Sequence, residues 1–188
     1  MSITLNTQGR AVPFTRFIYD PIVRGYDTTF WKTIAGTPTI ASSKIRLTSA
    51  EIATYTQYVF GNFRFRVNVP TTPSSGEAKV WGMRNPAAPT IGAAYYEITG
   101  ATFRAVSYDE QGTAQTTTIT WNGDWTAADT SFDITWKPTG TFFNIAGVPV
   151  AQHTTRTNTI AQAIHIDNND ADNTDVAYVI IKTDLVIS

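Results

Sequence analysis

The chain has 188 residues, 42% of them hydrophobic and 15% charged, with no cysteine and a formal net charge of -1. That is the length of one domain, and it excludes a disulfide framework, a thiolate nucleophile and Cys-ligated zinc. A nearly neutral chain offers no field to draw in nucleic acid or anionic membrane, so neither is expected as a partner.

Thirty-two threonines and 12% aromatic residues favour strands, because β-branched and aromatic side chains fit a pleated surface and crowd a helix. The first six residues, Met1-Ser2-Ile3-Thr4-Leu5-Asn6, lack the basic segment and apolar run of a secretory signal, and no run is long enough to span a bilayer. The expectation is a soluble chain made in the cytoplasm. Residues 1–25 read apart from the rest: Arg10, Arg16 and Arg24 face one acid, Asp20, giving this segment a side-chain charge of +2. It is expected to be an attachment arm, or an extra edge strand packed through Phe14, Phe17 and Ile18, on a sandwich formed by residues 26–188.

A strand is expected over 37–47. Residues 49–55, with Ser49 as a cap before Glu51-Ile52-Ala53, read as loop with one helical turn at most. Residues 62–69 alternate strictly: Phe63, Phe65, Val67 and Val69 lie on one side and Asn62, Arg64, Arg66 and Asn68 on the other. Further strands are expected at 77–83, 93–99, 101–108, 115–121, 131–137, 141–146, 148–152, 160–166 and 176–182, separated by Gly, Pro, Asn and Asp clusters. Bends are expected at 70–76 and 85–92. Hairpin connections are expected at Tyr108-Asp109-Glu110-Gln111-Gly112, at Trp121-Asn122-Gly123-Asp124 and at Ile145-Ala146-Gly147-Val148. So many short strands joined this way predict an all-β, antiparallel β-sandwich.

The order of these elements resembles the concanavalin A-like lectin/glucanase jelly roll over residues 26–188. The stretch Tyr58-Val59-Phe60-Gly61-Asn62-Phe63-Arg64-Phe65-Arg66-Val67 is similar to a strand of the glucanase branch that opens with an aromatic-Gly step. Glu77-Ala78-Lys79-Val80-Trp81-Gly82-Met83 sits where that branch has a Trp-bearing strand. Ser131-Phe132-Asp133-Ile134-Thr135-Trp136 and the run from Thr141 to Val150 resemble its hairpin pair, and Asp175-Val176-Ala177-Tyr178-Val179 its closing strand. The resemblance implies a catalytic strand of the form Glu-x-Asp-x-x-Glu, whose carboxylates share one face because residues two apart on a strand point the same way. With Glu97 at the first of these positions, Thr99 and Thr102 occupy the other two. Neither threonine can deliver a proton near neutral pH, so Glu97 is expected to be a hydrogen-bonding residue and the chain not to be an enzyme.

Other chemistries are weaker. His153 and His165 lack a nucleophile elbow, and an alternating strand would turn His165 away from Ile164 and Ile166. No Gly-rich phosphate loop is present. The segment from Asp167 to Asp175 is the densest in oxygen ligands, so Asp167, Asp170, Asp172 and Asp175 are the candidate ligands for calcium, the one cofactor the sequence offers. An EF-hand starting at Asp170 would need Gly at 175 and Glu at 181, where Asp175 and Ile181 stand, and the competing reading is an Asx-rich turn.

With Trp81 taken as outward-facing, alternation gathers Arg64, Arg66, Trp81, Tyr95, Glu97 and Arg104 on one outer sheet face, suited to a glycan or to a protein surface. Three functions follow in order. The first is a non-catalytic virion-surface module, a capsid decoration or tail-associated protein binding other subunits or copies of itself through the arm Arg10, Arg16 and Arg24. The second is a carbohydrate-binding lectin-like module. The third is a divergent glycoside hydrolase whose second acid would be Asp109, Glu110 or Asp133. A virion or extracellular surface is the expected location.

Overall fold

The computed structural model describes residues 15–69, 78–100, 102–120, 130–155, 158–183 and 185–187. The bend at 70–76, the turn at Trp121-Asn122-Gly123-Asp124, Glu77 and Arg10 lie outside the described residues.

In chain order the elements are β1 (Thr15–Tyr19), α1 (Pro21–Arg24), β2 (Trp31–Ala35), β3 (Thr39–Ala41), β4 (Lys44–Leu47), β5 (Ala50–Val59), β6 (Gly61–Asn68), β7 (Ala78–Met83), β8 (Ala94–Thr99), β9 (Thr102–Tyr108), β10 (Ala114–Thr118), β11 (Thr130–Lys137), β12 (Gly140–Ile145), β13 (Val148–His153), β14 (Gln162–Asn168), β15 (Thr174–Thr183) and β16 (Leu185–Ile187). Sheet I runs β13-β12-β11-β6-β15-β4-β3, with β1 also on β15. Sheet II runs β10-β9-β8-β7-β14-β5-β16, with β2 also on β5. The pairings are antiparallel, and the protein is an all-β jelly-roll sandwich.

The strict alternation of β6 puts Phe63, Phe65 and Val67 into the core between the sheets, where they meet Phe132, Ile134 and Trp136 of β11 and Val176, Val179 and Ile181 of β15. From sheet II come Ile52, Trp81, Tyr96, Ile98, Phe103, Ile164 and Ile166. Trp81 meets Phe132 edge-on at 4.9 Å and stacks near Tyr96 and Phe103. The Tyr96 hydroxyl crosses between the sheets to Asn144 O at 2.8 Å and Asp133 O at 3.0 Å, satisfying a polar group that would otherwise be stranded in the core.

Two sequence expectations are corrected here. Residues 50–55 are no loop, because β5 occupies Ala50–Val59 between β14 and the strands β2 and β16 of sheet II, with Ile52 and Thr54 buried. The β-branched residues that opposed a helix found their place in a strand. Trp81 is no surface residue, for it is fully buried in the core. Strand β7 is covered on both sides, so alternation in its sequence carries no phase, and Lys79, fully buried, points the same way as Trp81 at the end of the sheet.

Between β5 and β6 the chain crosses from sheet II to sheet I. Phe60 has φ 56° and Gly61 φ 143°, and a Cβ on Gly61 would lie 2.5 Å from Lys182 O, so only glycine fits this corner. The Ala146-Gly147 turn, with φ 49° and 82°, closes the β12–β13 hairpin in the left-handed geometry that matches strand twist.

Candidate functional site on the outer face of sheet II

Core-facing residues of sheet II fix what its other face displays. Since Ile52, Trp81, Tyr96, Ile98, Phe103, Ala105, Ile164 and Ile166 point inward, their chain neighbours Glu51, Ala53, Val80, Gly82, Tyr95, Glu97, Arg104, Val106, His165 and Asp167 line the opposite side. Strand register sorts these into two rows. One runs Arg104, Glu97, Val80, Asp167, Glu51 across five strands, and the next runs Val106, Tyr95, Gly82, His165, Ala53.

Glu51 and Asp167 stand directly opposite on antiparallel strands, an arrangement that places Cβ atoms about 5 Å apart. His165 Nε2 lies 2.7 Å from Glu51 Oε1. That hydrogen bond, aided by the charges of His165 and Arg84, holds the Glu51 carboxyl below the usual range despite partial burial. Asp167 moves the other way: desolvation is the main cause and the Glu51 charge adds to it, against opposing effects from His165 and Arg84. One acid is thus kept ionised while its neighbour is pushed toward holding a proton. A cavity of about 280 Å³ opens over them, lined also by Ala35, Ser49 and Asn169. His165 is fully buried, and among the described residues its Nδ1 has no hydrogen-bond partner.

At the far end of the row Glu97 pairs with Arg104 and accepts a hydrogen bond from Thr99 Oγ1 at 2.9 Å. The Arg84 guanidinium lies over the Tyr95 ring at 5.5 Å, and Tyr108 stacks on that ring at 6.3 Å. Burial raises the Tyr95 phenol far above its ordinary range, so it stays a neutral hydrogen-bonding group.

The six residues gathered by sequence alternation do not meet. Tyr95, Glu97 and Arg104 share this face. Arg64 and Arg66 lie on β6 in sheet I. Arg64 forks onto Asp133 at 2.6 and 3.0 Å, and Arg66 lies over the Tyr178 ring at 5.7 Å. Arg64 lines a 240 Å³ depression with Asn62, Ile180 and Lys182 there. The three acids considered as partners of Glu97 are engaged elsewhere. Asp109 accepts the N–H groups of Gln111 and Thr113, Glu110 accepts that of Thr159, and Asp133 holds Arg64.

The residues sequence reasoning missed are Glu51, Asp167 as a face residue, and Arg84. A signal for one is present: alternation through Ile164-His165-Ile166-Asp167 puts His165 and Asp167 on one side, but Asp167 also adjoins the Asp- and Asn-rich loop that follows, which masks its place on the strand.

Beyond that loop, on β15, Asp175 is held by Arg46 through two bonds of 2.8 Å. Buried Asp170 lies 3.8 Å from Lys79 Nζ and accepts the Asp172 N–H at 3.2 Å. Asp167 belongs to the sheet face instead. Among the described residues no three His, Asp or Glu side chains converge as a metal site would need; the Asp172 N–H to Asp170 bond is that of an Asx turn, and the other contacts are ion pairs. His153 is buried between Ser107 Oγ at 2.8 Å and Thr117 Oγ1 at 3.0 Å.

At the N-terminal end β1 pairs with β15, placing Arg16 opposite Lys182. Arg24 is exposed, 3.5 Å from Asp27. Tyr19 is buried, stacked on Phe30 at 5.0 Å.

No family model matches the sequence, and no curated protein matches it significantly. Solved structures do share the fold. The Bacillus licheniformis β-glucanase is similar with a TM-score of 0.73 and 13% identity, covering 90% of this chain and 98% of the other. A Crh5 transglycosylase in complex with NAG gives a TM-score of 0.73 and 13% identity over 96% and 91% of the two chains. The non-specific endo-β-1,3(4)-glucanase SCLam, of family GH16, gives 0.71 and 11% over 98% and 94%. At these identities the likeness establishes the fold alone, a two-sheet antiparallel jelly-roll sandwich. It also corrects the first functional expectation. These three are glucanases and a transglycosylase rather than particle proteins, which overturns both the virion-surface reading and the exclusion of enzyme activity.

Proposed function

We propose that the chain is a carbohydrate-active protein that binds a polysaccharide of the β-glucan class along the outer face of sheet II. In this reading Glu51 and Asp167 supply the acid and base for glycosyl transfer. The observation that carries it is the opposed pair itself: two carboxyl groups on neighbouring strands, at an open cavity, with proton affinities pushed apart. Such splitting is how one site holds an acid and a base together. With threonines beside Glu97, that strand has one carboxylate, and in this reading the proton donor is Asp167, two strands away.

Asp167 gives its proton to the leaving glycosidic oxygen as the C1–O bond breaks. Glu51, held in orientation by His165, is the carboxylate. Carboxyl groups about 5 Å apart suit attack on C1 to form a glycosyl ester, and in this reading the opposed strand positions bring the two acids near enough for it; water or a second sugar hydroxyl then releases the ester, its proton returning to Asp167. Arg104, Glu97, Arg84 and Tyr95 are polar groups for sugar hydroxyls along the same face.

The test is turnover of laminarin and mixed-linkage β-glucan, with binding followed separately by affinity electrophoresis. Asp167→Asn and Glu51→Gln should each remove about 10²–10⁴-fold of the rate while retaining polymer binding. Turnover unchanged in both variants would overturn the acid–base assignment. Binding without turnover in the unmodified protein would reduce the proposal to glycan capture.

A further inference from the structure

Strand β5 loses register with β14 next to the acids. Ala53 pairs with His165 and Gln57 with Ala163, so Thr54, Tyr55 and Thr56 together stand against Ile164. The slip is closed by a side chain: Thr54 Oγ1 accepts the Ile164 N–H at 3.0 Å and donates to Thr56 O at 2.6 Å. The Tyr55 N–H is taken by Phe30 O at 3.2 Å. Thr54 is therefore buried, and Tyr55 is pushed out until 60% of it is exposed. Bulges of this kind re-aim a side chain and recur beside functional sites.

Tyr55 borders a groove of about 430 Å³ whose lining includes Lys32, Ile34, Gln57, Asn85 and Pro86. This lining offers one amine and two side-chain amides around apolar surface, and no acid. Asn85 Oδ1 is engaged by the Ala87 N–H at 3.0 Å, which leaves its amide N–H₂ as the donor toward the groove. The groove also reaches Ala53 and Ala163, so it continues the face that carries Glu51 and His165. Four residues of strand separate Tyr55 from Glu51, roughly 13 Å, far enough for a different ring of the same chain.

We propose that the β5 bulge builds a sugar subsite, in which the Tyr55 ring stacks on the apolar face of one pyranose while Lys32, Gln57 and Asn85 bond its hydroxyl rim. An amphipathic ring beside a few placed polar groups is the combination such a ligand requires. The inference rests on the reading of sheet II as a glycan face, and it adds a subsite remote from the acids.

The experiment is affinity electrophoresis of the full chain in gels containing laminarin or mixed-linkage β-glucan. Thermal melting serves as a check that each variant is folded. Tyr55→Ala should weaken retardation at least tenfold with its melting temperature unchanged, and Tyr55→Phe, which keeps the ring, should recover most of it. Val148→Ser, at an equally exposed position on sheet I, should behave as the unmodified protein. Retention by Tyr55→Ala equal to that of the unmodified protein overturns the subsite and leaves the glycan face standing. Loss in both Tyr55 variants alike overturns stacking as its basis. An unmodified protein retarded by neither polymer overturns the glycan face and the subsite together.

Discussion

The outer face of sheet I and the Glu51–Asp167 end of sheet II handle charge in opposite ways. On sheet I, arginines and acids neutralise one another: Arg64 forks onto Asp133, Arg46 forks onto Asp175, and Arg66 rests on Tyr178. At that end of sheet II, Glu51 and Asp167 face each other, His165 is hydrogen-bonded to Glu51, and the proton affinities of the two acids separate. A face whose charges are mutually satisfied is finished as a surface. A face that keeps two acids side by side bears an electrostatic cost, and such costs concentrate where a reaction or ligand uses them.

The largest expected break in this comparison is kinetic. Asp167→Asn should lower glucan turnover by about 10²–10⁴-fold, whereas Asp133→Asn on the opposite face should leave turnover within twofold, both read as reducing sugar released. The pH profile sharpens the same contrast. Activity needs Glu51 ionised, which its lowered affinity permits below the ordinary 4.5, and Asp167 protonated, which its raised affinity extends above the ordinary 3.8. The profile should be a bell on the acid side, and its alkaline limb should vanish in Asp167→Asn.

Next comes Trp81. As a core residue it should destabilise the fold by about 3–5 kcal/mol when changed to alanine, seen in urea unfolding, while Trp81→Phe should keep polymer binding. Loss of binding in a fully stable Trp81→Phe variant would return that residue to the surface. A smaller effect is expected at Asp175→Ala, at most about 1 kcal/mol, because Arg46 remains partly in water.

The smallest is linked to pH through His153. Burial lowers its affinity for a proton below the ordinary 6.5, so the unfolded chain binds more protons in that window. Stability is therefore fully present above 6.5 and declines as pH falls through the lowered value. His153→Gln should flatten this part of a melting-temperature profile.

Much of the architecture was legible in the sequence because strands with one exposed face write their phase into alternation. Phe63, Phe65 and Val67 set sheet I, and Ala146-Gly147 announced its hairpin. Strand β7 was illegible for the converse reason: with Val80 and Trp81 both buried on opposite sides, nothing distinguishes inside from outside. Glu51 and Asp167 are 116 positions apart, and their meeting depends on a register between β5 and β14 that no local pattern records. The bulge at Thr54–Thr56 hides the strand further by interrupting its period of two. Glu97, Tyr95 and Arg104 were found because their own strands alternate clearly.

Gly82 carries a consequence for the shape of that working face. A methyl group there would come within 2.5 Å of Ala94 O and the Tyr95 Cα, so even alanine would prise β8 away from β7 beneath the row that links Tyr95 to His165. That stretch of the face is therefore shaped by a missing side chain, and it cannot be raised at Gly82 to suit a new ligand. Diversification of binding preference has to come from the rim, in segments such as 85–87, where longer side chains can be added without disturbing a strand.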